Sequence, residues 1–368
     1  MSPAVVDAVV AAGPRLVAAA AALGLAPAAL APAVSDPAYR VLAGSDGAAV
    51  LLRRQWTVEG TPEAVVLASA GLSPDAPAVL DTAAGWGCER VRDRPGGRGV
   101  VAVPEPPVTA PLAERFRHLA ALAATRVETA VALARGAGED RVKGDGSPSL
   151  AADEAAHVAA VGVLGALGVP LLSEERPDHP VDPAAPWVVL DPLDGTGNFR
   201  AGLPPWAFSA GLVQDGCPVA GVVVDLSSGR RWSGAVGAGV VRDGVPIAPR
   251  AGGTVVVPSA PPGSAVAVPA GARRVRVTGC TAVELCLVAD GSAGAWHDLD
   301  RSGTHVHDVA GALAVLAAAG GVALTADGEP VRLRPDTDTL IRFVAAGSEA
   351  AARELLGFFA PAPESSGG

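Results

Sequence analysis

The sequence has few charged side chains, few aromatic residues and few cysteines. Charged residues make up 18% of its 368 residues and aromatic residues 4%, whereas hydrophobic residues make up 49%. The basic side chains are scattered and the formal net charge is −10, which argues against nucleic acid as a partner, because a phosphate backbone requires a basic surface. The four cysteines show neither zinc-site spacing nor the density of a disulfide scaffold. We therefore expect reduced thiols with no part in the chemistry and a cytoplasmic protein.

The sequence also lacks a segment that is long and apolar enough to cross a membrane. The Ala-rich stretch after Arg15 ends in small residues, as a signal peptide does, but Asp7 lies where a signal peptide would be basic. A pair of Ala-rich helices, broken at Gly13-Pro14 and again near Pro27, is the simpler interpretation. We expect no membrane partner.

Prolines cluster between residues 101 and 111, where the hydrophobic periodicity stops, and this predicts a domain boundary. Residues 1–105 are then a small N-terminal α/β domain of unknown function. Residues 111–361 are the main domain, and residues 362–368 are a disordered tail.

The main domain mixes predicted helices with Val-rich strands. An amphipathic helix is predicted from Leu112 to Arg135, a second helix from about Ser149, and an Ala-rich helix from His307 to Ala319. Short strands alternate with turns between the second and third helices. This order predicts mixed α and β structure around a buried sheet.

The most informative segment reads WVVLDPLDGTGNF, at residues 187–199. An apolar run typical of a buried strand ends at Asp191, and Asp194 follows on a turn after the proline. Two such carboxylates repel each other and lose hydration, so a cation between them is expected. Gly195-Thr196 begins a helix, whose first N–H groups can bind an anion. The segment therefore predicts Mg²⁺ beside a phosphate, because Mg²⁺ prefers carboxylate oxygens and shares its ligands with substrate phosphate.

An ordinary turn, in which an aspartate caps the helix and glycine makes the bend, is the alternative interpretation of this segment. Glu174 and Glu175 follow another apolar strand, and Asp308 lies at the start of a helix that is otherwise apolar. Each of these alone is usually a solvated loop or a helix cap. Together with the central segment they form an acidic set suited to a metal ion.

The chain from about residue 111 to 360 resembles the inositol monophosphatase family of Mg²⁺-dependent phosphatases. DPLDGTGNF is similar to the central signature of that family, and DVAGALAVLAAAGG is similar to its C-terminal signature. The segments SEE, AADEAAH and CTAVELCLVA follow the order and spacing of the family. The resemblance implies an α/β fold of the α+β type, a layered α-β-α-β-α sandwich that is commonly dimeric, to which this chain adds its N-terminal domain.

The resemblance also implies a role for each acidic residue. Glu174, Asp191 and the backbone carbonyl of Leu193 would hold a first Mg²⁺. Asp191, Asp194 and Asp308 would hold a second. A water on the first metal would then attack phosphorus, while the second metal stabilises the oxygen that leaves.

Further roles follow from the same resemblance. Thr196 and Glu174 would orient the attacking water, and the backbone amides of Gly195 and Thr196 would bind the phosphate. Asp153 matches an acidic residue near the active site of the family. Lys143 falls on a mobile loop that helps to hold a third, weaker Mg²⁺, so two or three Mg²⁺ ions per site are expected.

The segment WHDLDRSGTHVHD differs from the family in length and in its histidines. In the family this loop contacts the organic part of the substrate, so Asp298 or Asp300 would bind hydroxyl groups here. His307, which stands where the family usually has tryptophan, would also contact substrate. The pair His305-x-His307 is alternatively a Zn²⁺ or Fe²⁺ site, because imidazole ligands favour those metals.

We therefore expect a Mg²⁺-dependent phosphomonoesterase that hydrolyses a small polyol, cyclitol or sugar phosphate through a metal-activated water. A nucleotide phosphate or histidinol phosphate is the alternative substrate. A catalytically silent ligand-binding or regulatory module is the alternative from another class, but the complete acidic set argues against it. The expected partners are a small phosphomonoester and a second copy of the chain in a homodimer.

Overall fold

The computed structural model describes residues 18–19, 21–23, 25, 38–43, 48–56, 62–95, 97, 99–135, 139–142, 148–176, 181–258, 265–269, 271–299 and 302–359. Side chains are described for all of these except Trp56, 139–142 and 148–150. Lys143 and Asp300 lie outside the described residues, and so do the predicted tail and most of the predicted N-terminal helix pair.

The N-terminal region is built on a five-stranded sheet. Its elements are β1 (Tyr39–Ala43), β2 (Ala49–Trp56), β3 (Pro62–Ala70), α1 (Pro77–Gly85), β4 (Arg90–Arg92) and β5 (Val100–Ala102). The strand order is β1-β2-β3-β4-β5, and all neighbours are antiparallel except β3 and β4. Helix α1 connects this parallel pair, since parallel strands require a crossover. Apolar side chains of the sheet and of α1 form a separate core around Val50, Leu52 and Trp86.

Helices and strands alternate through the rest of the described chain. They are α2 (Leu112–Ala134), β6 (Glu139–Val142), β7 (Pro148–Leu150), α3 (Ala151–Leu164), a 3-10 turn (Gly165–Leu167), β8 (Leu171–Ser173), β9 (Trp187–Asp194), α4 (Thr196–Ala201), β10 (Ala207–Gln214), β11 (Cys217–Asp225), β12 (Arg230–Ala235), β13 (Gly239–Arg242), β14 (Val245–Pro246), β15 (Thr254–Val256), β16 (Arg274–Arg276), α5 (Thr281–Ala289), β17 (Ala295–His297), β18 (Thr304–His305), α6 (Val306–Ala318), β19 (Val322–Thr325), β20 (Leu340–Ile341), β21 (Phe343–Ala346) and α7 (Glu349–Phe359). The three predicted helices are α2, α3 and α6, and their ends agree with the prediction to within about two residues.

These elements stack as the predicted α-β-α-β-α sandwich. A seven-stranded sheet, ordered β14-β13-β12-β11-β10-β9-β8, lies between the pair α2 and α3 and the pair α5 and α6. A five-stranded sheet, ordered β16-β15-β17-β21-β19, lies between α5 and α7. Alternate residues of β21 enter the cores on its two sides: Phe343 packs in the core that contains α5 and α6, and Val344 in the core that contains α7.

Strand β9 is apolar throughout its first half because both of its faces are buried. Trp187 and Val189 belong to the core on the side of α6, whereas Val188 and Leu190 belong to the core on the side of α2 and α3. The sequence of a strand that is covered on both faces is a continuous apolar run, rather than an alternation of apolar and polar residues.

Helix α6 lies directly on the seven-stranded sheet. A Cβ atom on Gly221 of β11 would lie 2.0 Å from the backbone oxygen of Gly311 in α6. Only glycine permits this approach, which brings the first turn of α6 close to the end of β9. None of the described helices is long and apolar enough to cross a membrane.

The N-terminal region packs against α2 and β12 through buried polar contacts. The Thr125 hydroxyl of α2 donates a hydrogen bond to the backbone oxygen of Trp86 at 2.7 Å. Glu128 of α2 accepts from Arg54 of β2 at 2.7 Å and from Arg231 of β12 at 2.8 Å. The segment between β5 and α2 contains no helix or strand. A domain boundary there stays a prediction.

Candidate active site

Strand β9 continues past Pro192 and carries both aspartates of the central segment. The expectation that the strand ends at Asp191 is wrong, because β9 extends to Asp194. Asp191 pairs with Ser209 of β10, and Asp194 pairs with Ala207. The two pairs are three residues apart on β9 but only two residues apart on β10, so β9 contains one extra residue. This bulge accommodates a proline, which has no N–H to donate. Since side chains alternate along a regular strand, the extra residue allows both aspartates to face the same side.

The carboxylates of Asp191, Asp194 and Asp308 converge on one point. Their nearest ligand oxygens all lie within 4.8 Å of one another. The first two side chains are buried and come from β9, whereas Asp308 is partly exposed and comes from the first turn of α6. The structure therefore brings together the three residues that were predicted to hold the second metal.

Backbone N–H groups hold each of these carboxylates in place. Leu193 N donates to Asp191 Oδ1 at 3.0 Å, and Ala282 N donates to Asp194 Oδ2 at 2.7 Å. His305 N donates to Asp308 Oδ2 at 3.1 Å. Each carboxylate retains further lone pairs that can bind a cation.

Burial disfavours the charged forms of this acidic group. Burial raises the pKa of Asp194 well above its usual range, and the negative charge of Asp308 raises it further. Burial also raises the pKa of Asp308; the neighbouring His307 opposes this rise, while the charge of Glu174 adds to it. A bound cation would favour the ionised forms. Three hard carboxylates therefore fit a divalent cation such as Mg²⁺.

Glu174 lies beside this group rather than within it. It directly follows β8, and its backbone N–H donates to Leu190 O at 3.2 Å, which ties the end of β8 to β9. The negative charge of Glu174 contributes to the raised pKa of Asp308. The role of Glu174 as a ligand of the first metal stays a prediction, as does that of the Leu193 carbonyl.

The hydroxyl of Thr196 joins three elements at the edge of the acidic group. Its Oγ1 lies 3.0 Å from Leu193 O of β9 and 3.3 Å from Asp153 Oδ1 of α3. A hydroxyl donates one proton, so it serves one of these acceptors at a time and keeps lone pairs to accept from a water. The predicted role of Thr196, which begins α4, is compatible with this geometry.

Gly195 makes the turn between β9 and α4. Its φ is +83°, which is a left-handed conformation, and a Cβ atom there would lie 3.1 Å from Pro205 O and 3.3 Å from Gly279 O. Asn198 of α4 donates to Pro205 O at 2.8 Å and to Thr278 O at 2.7 Å. Phosphate binding by the amides of Gly195 and Thr196 stays a prediction.

Two side chains that support this site were not identified from the sequence. Cys280 contacts the acidic group, because its thiol donates to Asp194 Oδ2 at 3.1 Å. That the cysteines take no part in the chemistry stays a prediction. Burial raises the pKa of this thiol well above its usual value, so it stays a donor. Glu284 accepts from the backbone N–H groups of Thr278 and Gly279 at 2.9 and 3.1 Å. Glu284 is the one charged residue in TAVELCLVA. It could have been recognised from the sequence as a side chain that holds nearby backbone groups, because a buried charge requires partners.

Asp298, a predicted substrate contact, is completely buried. Its Oδ2 accepts from the Thr304 hydroxyl at 2.7 Å, and its Oδ1 accepts from Phe343 N at 2.8 Å. Burial raises the pKa of Asp298 to about 6. Both carboxylate oxygens thus stabilise the loop itself. Contact with substrate stays a prediction for this residue.

The two histidines of this loop stack on each other. The ring centroids of His305 and His307 are 5.1 Å apart, and the ring planes differ by 8°. His305 Nδ1 lies 2.7 Å from Thr337 O, so it carries a proton and donates it to that carbonyl. His307 Nε2 lies 3.7 Å from Asp308 Oδ1. The candidate metal-ligand group found in the described part of the chain contains no histidine, which disfavours the Zn²⁺ or Fe²⁺ interpretation.

Comparisons with known proteins identify the family. Residues 110–357 match the model of the inositol monophosphatase family. The chain is 32% identical over 185 residues to the probable inositol 1-monophosphatase ImpA of Mycobacterium tuberculosis, an alignment that covers 46% of this chain and 67% of that protein. It is 30% identical over 193 residues to the fructose-1,6-bisphosphatase/inositol-1-monophosphatase of Thermococcus kodakarensis, covering 52% of this chain and 74% of that protein.

A solved structure shows the same fold. It is a hypothetical protein, PH1897 from Pyrococcus horikoshii, described as having similarities to inositol-1 monophosphatase. The superposition covers 68% of this chain and 100% of the other, with a TM-score of 0.58 and 22% sequence identity. Because the family match spans both signatures and every residue of the acidic group, this chain belongs to the inositol monophosphatase family of phosphoric monoester hydrolases.

Proposed function

We propose that the chain is a Mg²⁺-dependent phosphomonoesterase that hydrolyses a small polyol, cyclitol or sugar phosphate. The observation that carries the proposal is the convergence of Asp191, Asp194 and Asp308 within 4.8 Å, next to the start of α4. The names of the two relatives, an inositol monophosphatase and a fructose-1,6-bisphosphatase/inositol-1-monophosphatase, support the substrate class. A homodimer and a cytoplasmic location stay predictions from the sequence.

The three aspartates would hold one Mg²⁺, and Glu174 with Asp191 and the Leu193 carbonyl would hold another. When bound, such ions supply positive charge to the phosphoryl oxygens and lower the pKa of the attacking water. The protein contributes a fixed arrangement of ligands, because backbone N–H groups already hold all three aspartates. Little reorganisation is then needed during the reaction.

Thr196 would orient the attacking water. Because its proton is directed to Leu193 O or Asp153, its oxygen accepts a hydrogen bond from the water and leaves a water lone pair free to attack phosphorus. The bond between phosphorus and the water oxygen forms as the ester P–O bond breaks. The attacking water gives up one proton and the leaving alkoxide takes one up, so inorganic phosphate and the alcohol are released. The amides of Gly195 and Thr196 would bind the phosphoryl oxygens.

The first experiment measures phosphate release by the full-length protein from inositol, sugar, histidinol and nucleoside phosphates, each with Mg²⁺ and with EDTA. We expect Mg²⁺-dependent release from the polyol or sugar class. Replacing Thr196 by Val, which keeps the shape but removes the hydroxyl, should lower kcat about 10²-fold with little change in KM. The variant Thr196→Ser is the matched control, because it retains the hydroxyl.

Release that persists in EDTA would contradict the metal-dependent reaction. Release confined to histidinol phosphate or to nucleotides would replace the proposed substrate class. A Thr196→Val variant as active as Thr196→Ser would exclude the hydroxyl as the group that orients water. Folded protein that binds Mg²⁺ but releases no phosphate from any compound would favour the ligand-binding module.

A further inference from the structure

A cavity of about 230 Å³ lies where the N-terminal region meets the main part of the chain. Residues from both sides line it: Arg40, Asp81 and Trp86 from the N-terminal region, and Arg117, Arg231 and Asp243 from the remainder. It lies beside β12, which is three strands away from β9 in the seven-stranded sheet. At roughly 4.8 Å per strand, this separation is about 14 Å, so the cavity is distinct from the acidic group.

Arg40 reaches across the junction with two of its guanidinium nitrogens unpaired among the described residues. The Nε and Nη2 atoms are buried and have no hydrogen-bond partner among the described residues. Nε lies 3.9 Å from the position that a Cβ atom on Gly244 would take, so the guanidinium lies against the turn between β13 and β14. Burial lowers the pKa of Arg40, and the charge of Asp243 opposes this effect. Buried donors without acceptors are costly, and an acceptor from solution would remove that cost.

Two further arginines line the same space. Arg231 uses Nη2 to bind Glu128 and Thr125, but its Nε is buried and unpaired within the described part of the chain. Arg117 of α2 donates from Nε to the Ser233 hydroxyl at 2.9 Å. The lining thus presents three arginines from β1, α2 and β12. Opposite them are two aspartates, so the lining carries an excess of one positive charge.

We propose that this cavity binds a small oxyanion of the phosphate class. Arginine side chains bind such groups through charge-assisted hydrogen bonds. The volume is below the range of roughly 300–1,000 Å³ that is typical of sites for drug-sized ligands, so a nucleotide is too large. Asp243 favours phosphate over sulfate, because monohydrogen phosphate has a proton to donate to a carboxylate and sulfate at neutral pH does not. A bound anion would touch both regions and so would stabilise their contact.

Calorimetric titration of the full-length Asp194→Asn protein with inorganic phosphate in EDTA tests the proposal. This background removes the metal and one acidic ligand, and any phosphate held by the backbone amides of Gly195 and Thr196 is common to every variant compared. We expect one saturable site that depends on Arg40. Replacing Arg40 by Gln should weaken phosphate binding by roughly tenfold or more, because a hydrogen bond to a charged group is lost.

Two other variants keep the test decisive. Gly85 lines the cavity at the end of α1, and a Cβ atom there would meet nothing within 4 Å, so Gly85→Leu should fill the space without strain and abolish binding. It leaves every charge in place, and it keeps the test valid if Arg40→Gln unfolds the protein. The matched control is Arg53→Gln, which removes an exposed arginine from the same sheet and should leave binding unchanged.

Three results would overturn the proposal: no saturable binding, equal binding by all variants, or equal weakening by Arg53→Gln. Sulfate that binds as tightly as phosphate would also overturn it, because the aspartates would then have no effect on the choice between the two anions.

Titration with glycerol phosphate tests whether the anion is free phosphate or part of a phosphomonoester. Tighter binding of this ester than of inorganic phosphate would assign the site to a small phosphomonoester, and weaker binding would assign it to free phosphate.

Discussion

Replacing Asp194 by Asn tests the acidic group with little change in shape. Two unit charges separated by 4.8 Å repel each other by about 3.5 kcal/mol at an effective dielectric constant of 20. Part of this repulsion is already relieved by protonation, because the pKa of Asp194 is raised. The Asn carbonyl can keep the hydrogen bond from Ala282 N while its NH₂ group faces the remaining carboxylates. We therefore expect the metal-free variant to gain roughly 1–3 kcal/mol in the free energy of unfolding.

Thermal unfolding in EDTA and in MgCl₂ measures both consequences. In EDTA the Tm of Asp194→Asn should exceed that of the wild type by roughly 2 °C for each kcal/mol gained. In MgCl₂ the wild type should gain about 2.7 kcal/mol when the Mg²⁺ concentration is a hundred times Kd. The variant should gain little, and its phosphatase activity should be lost.

Asp225→Asn is the matched control, because Asp225 is a buried aspartate of the same sheet outside the acidic group. Its carboxylate accepts hydrogen bonds from the hydroxyls of Ser227 and Ser228. Asn keeps only one acceptor oxygen for these two hydroxyls, so the substitution should lower the Tm in both buffers and leave the response to Mg²⁺ intact. An Asp194→Asn protein that behaves like this control, destabilised in EDTA and still stabilised by Mg²⁺, would refute both the repulsion within the acidic group and its role in binding Mg²⁺.

Two further predictions concern buried charges elsewhere. Glu128→Gln removes the charge between the buried Arg54 and Arg231, so it should cost about 3–5 kcal/mol of unfolding free energy in chemical denaturation; a change below about 1 kcal/mol would contradict this. Asp298 has a pKa of about 6 in the fold against a usual 3.8, so its neutral form is favoured. The contribution of this carboxyl group to the free energy of unfolding is fully present below about pH 4. It falls by about 3 kcal/mol as the pH rises to about 6. Asp298→Asn should remove this decline, since Asn can accept from Phe343 N and donate to Thr304; an unchanged pH profile of urea unfolding would exclude Asp298 as its source.

The parts of the site that depend on local sequence could be predicted. The run from Trp187 to Leu190 is apolar because both faces of β9 are buried, and this favours a strand. Asp308 lies in the first turn of α6, as expected for an acidic residue near the start of an apolar helix. These features depend on side-chain periodicity and helix ends, which are encoded within about ten residues.

The parts that depend on pairing between distant segments could not be predicted. Pro192 suggests the end of a strand, yet β9 continues because Ser209 and Ala207 of β10 pair on either side of a bulge. Cys280 is 86 residues from Asp194 in sequence, and only the packing of α5 brings the thiol to that carboxylate. The parallel pair β3 and β4 could not be predicted either, since short strands with few large side chains do not specify their partners.

The contact between the N-terminal region and α2 determines how a shortened chain would behave. A chain that begins at residue 108 would keep all three aspartates but would lose Arg54, leaving Glu128 with Arg231 alone. It would also expose the face of α2 around Thr125, whose hydroxyl now donates to Trp86 O. Loss of activity in such a fragment would therefore indicate poor solubility or a loosened α2. It would not by itself show that a catalytic residue had been removed. We therefore expect the N-terminal region to support the folding of α2 and of the sheet beneath it.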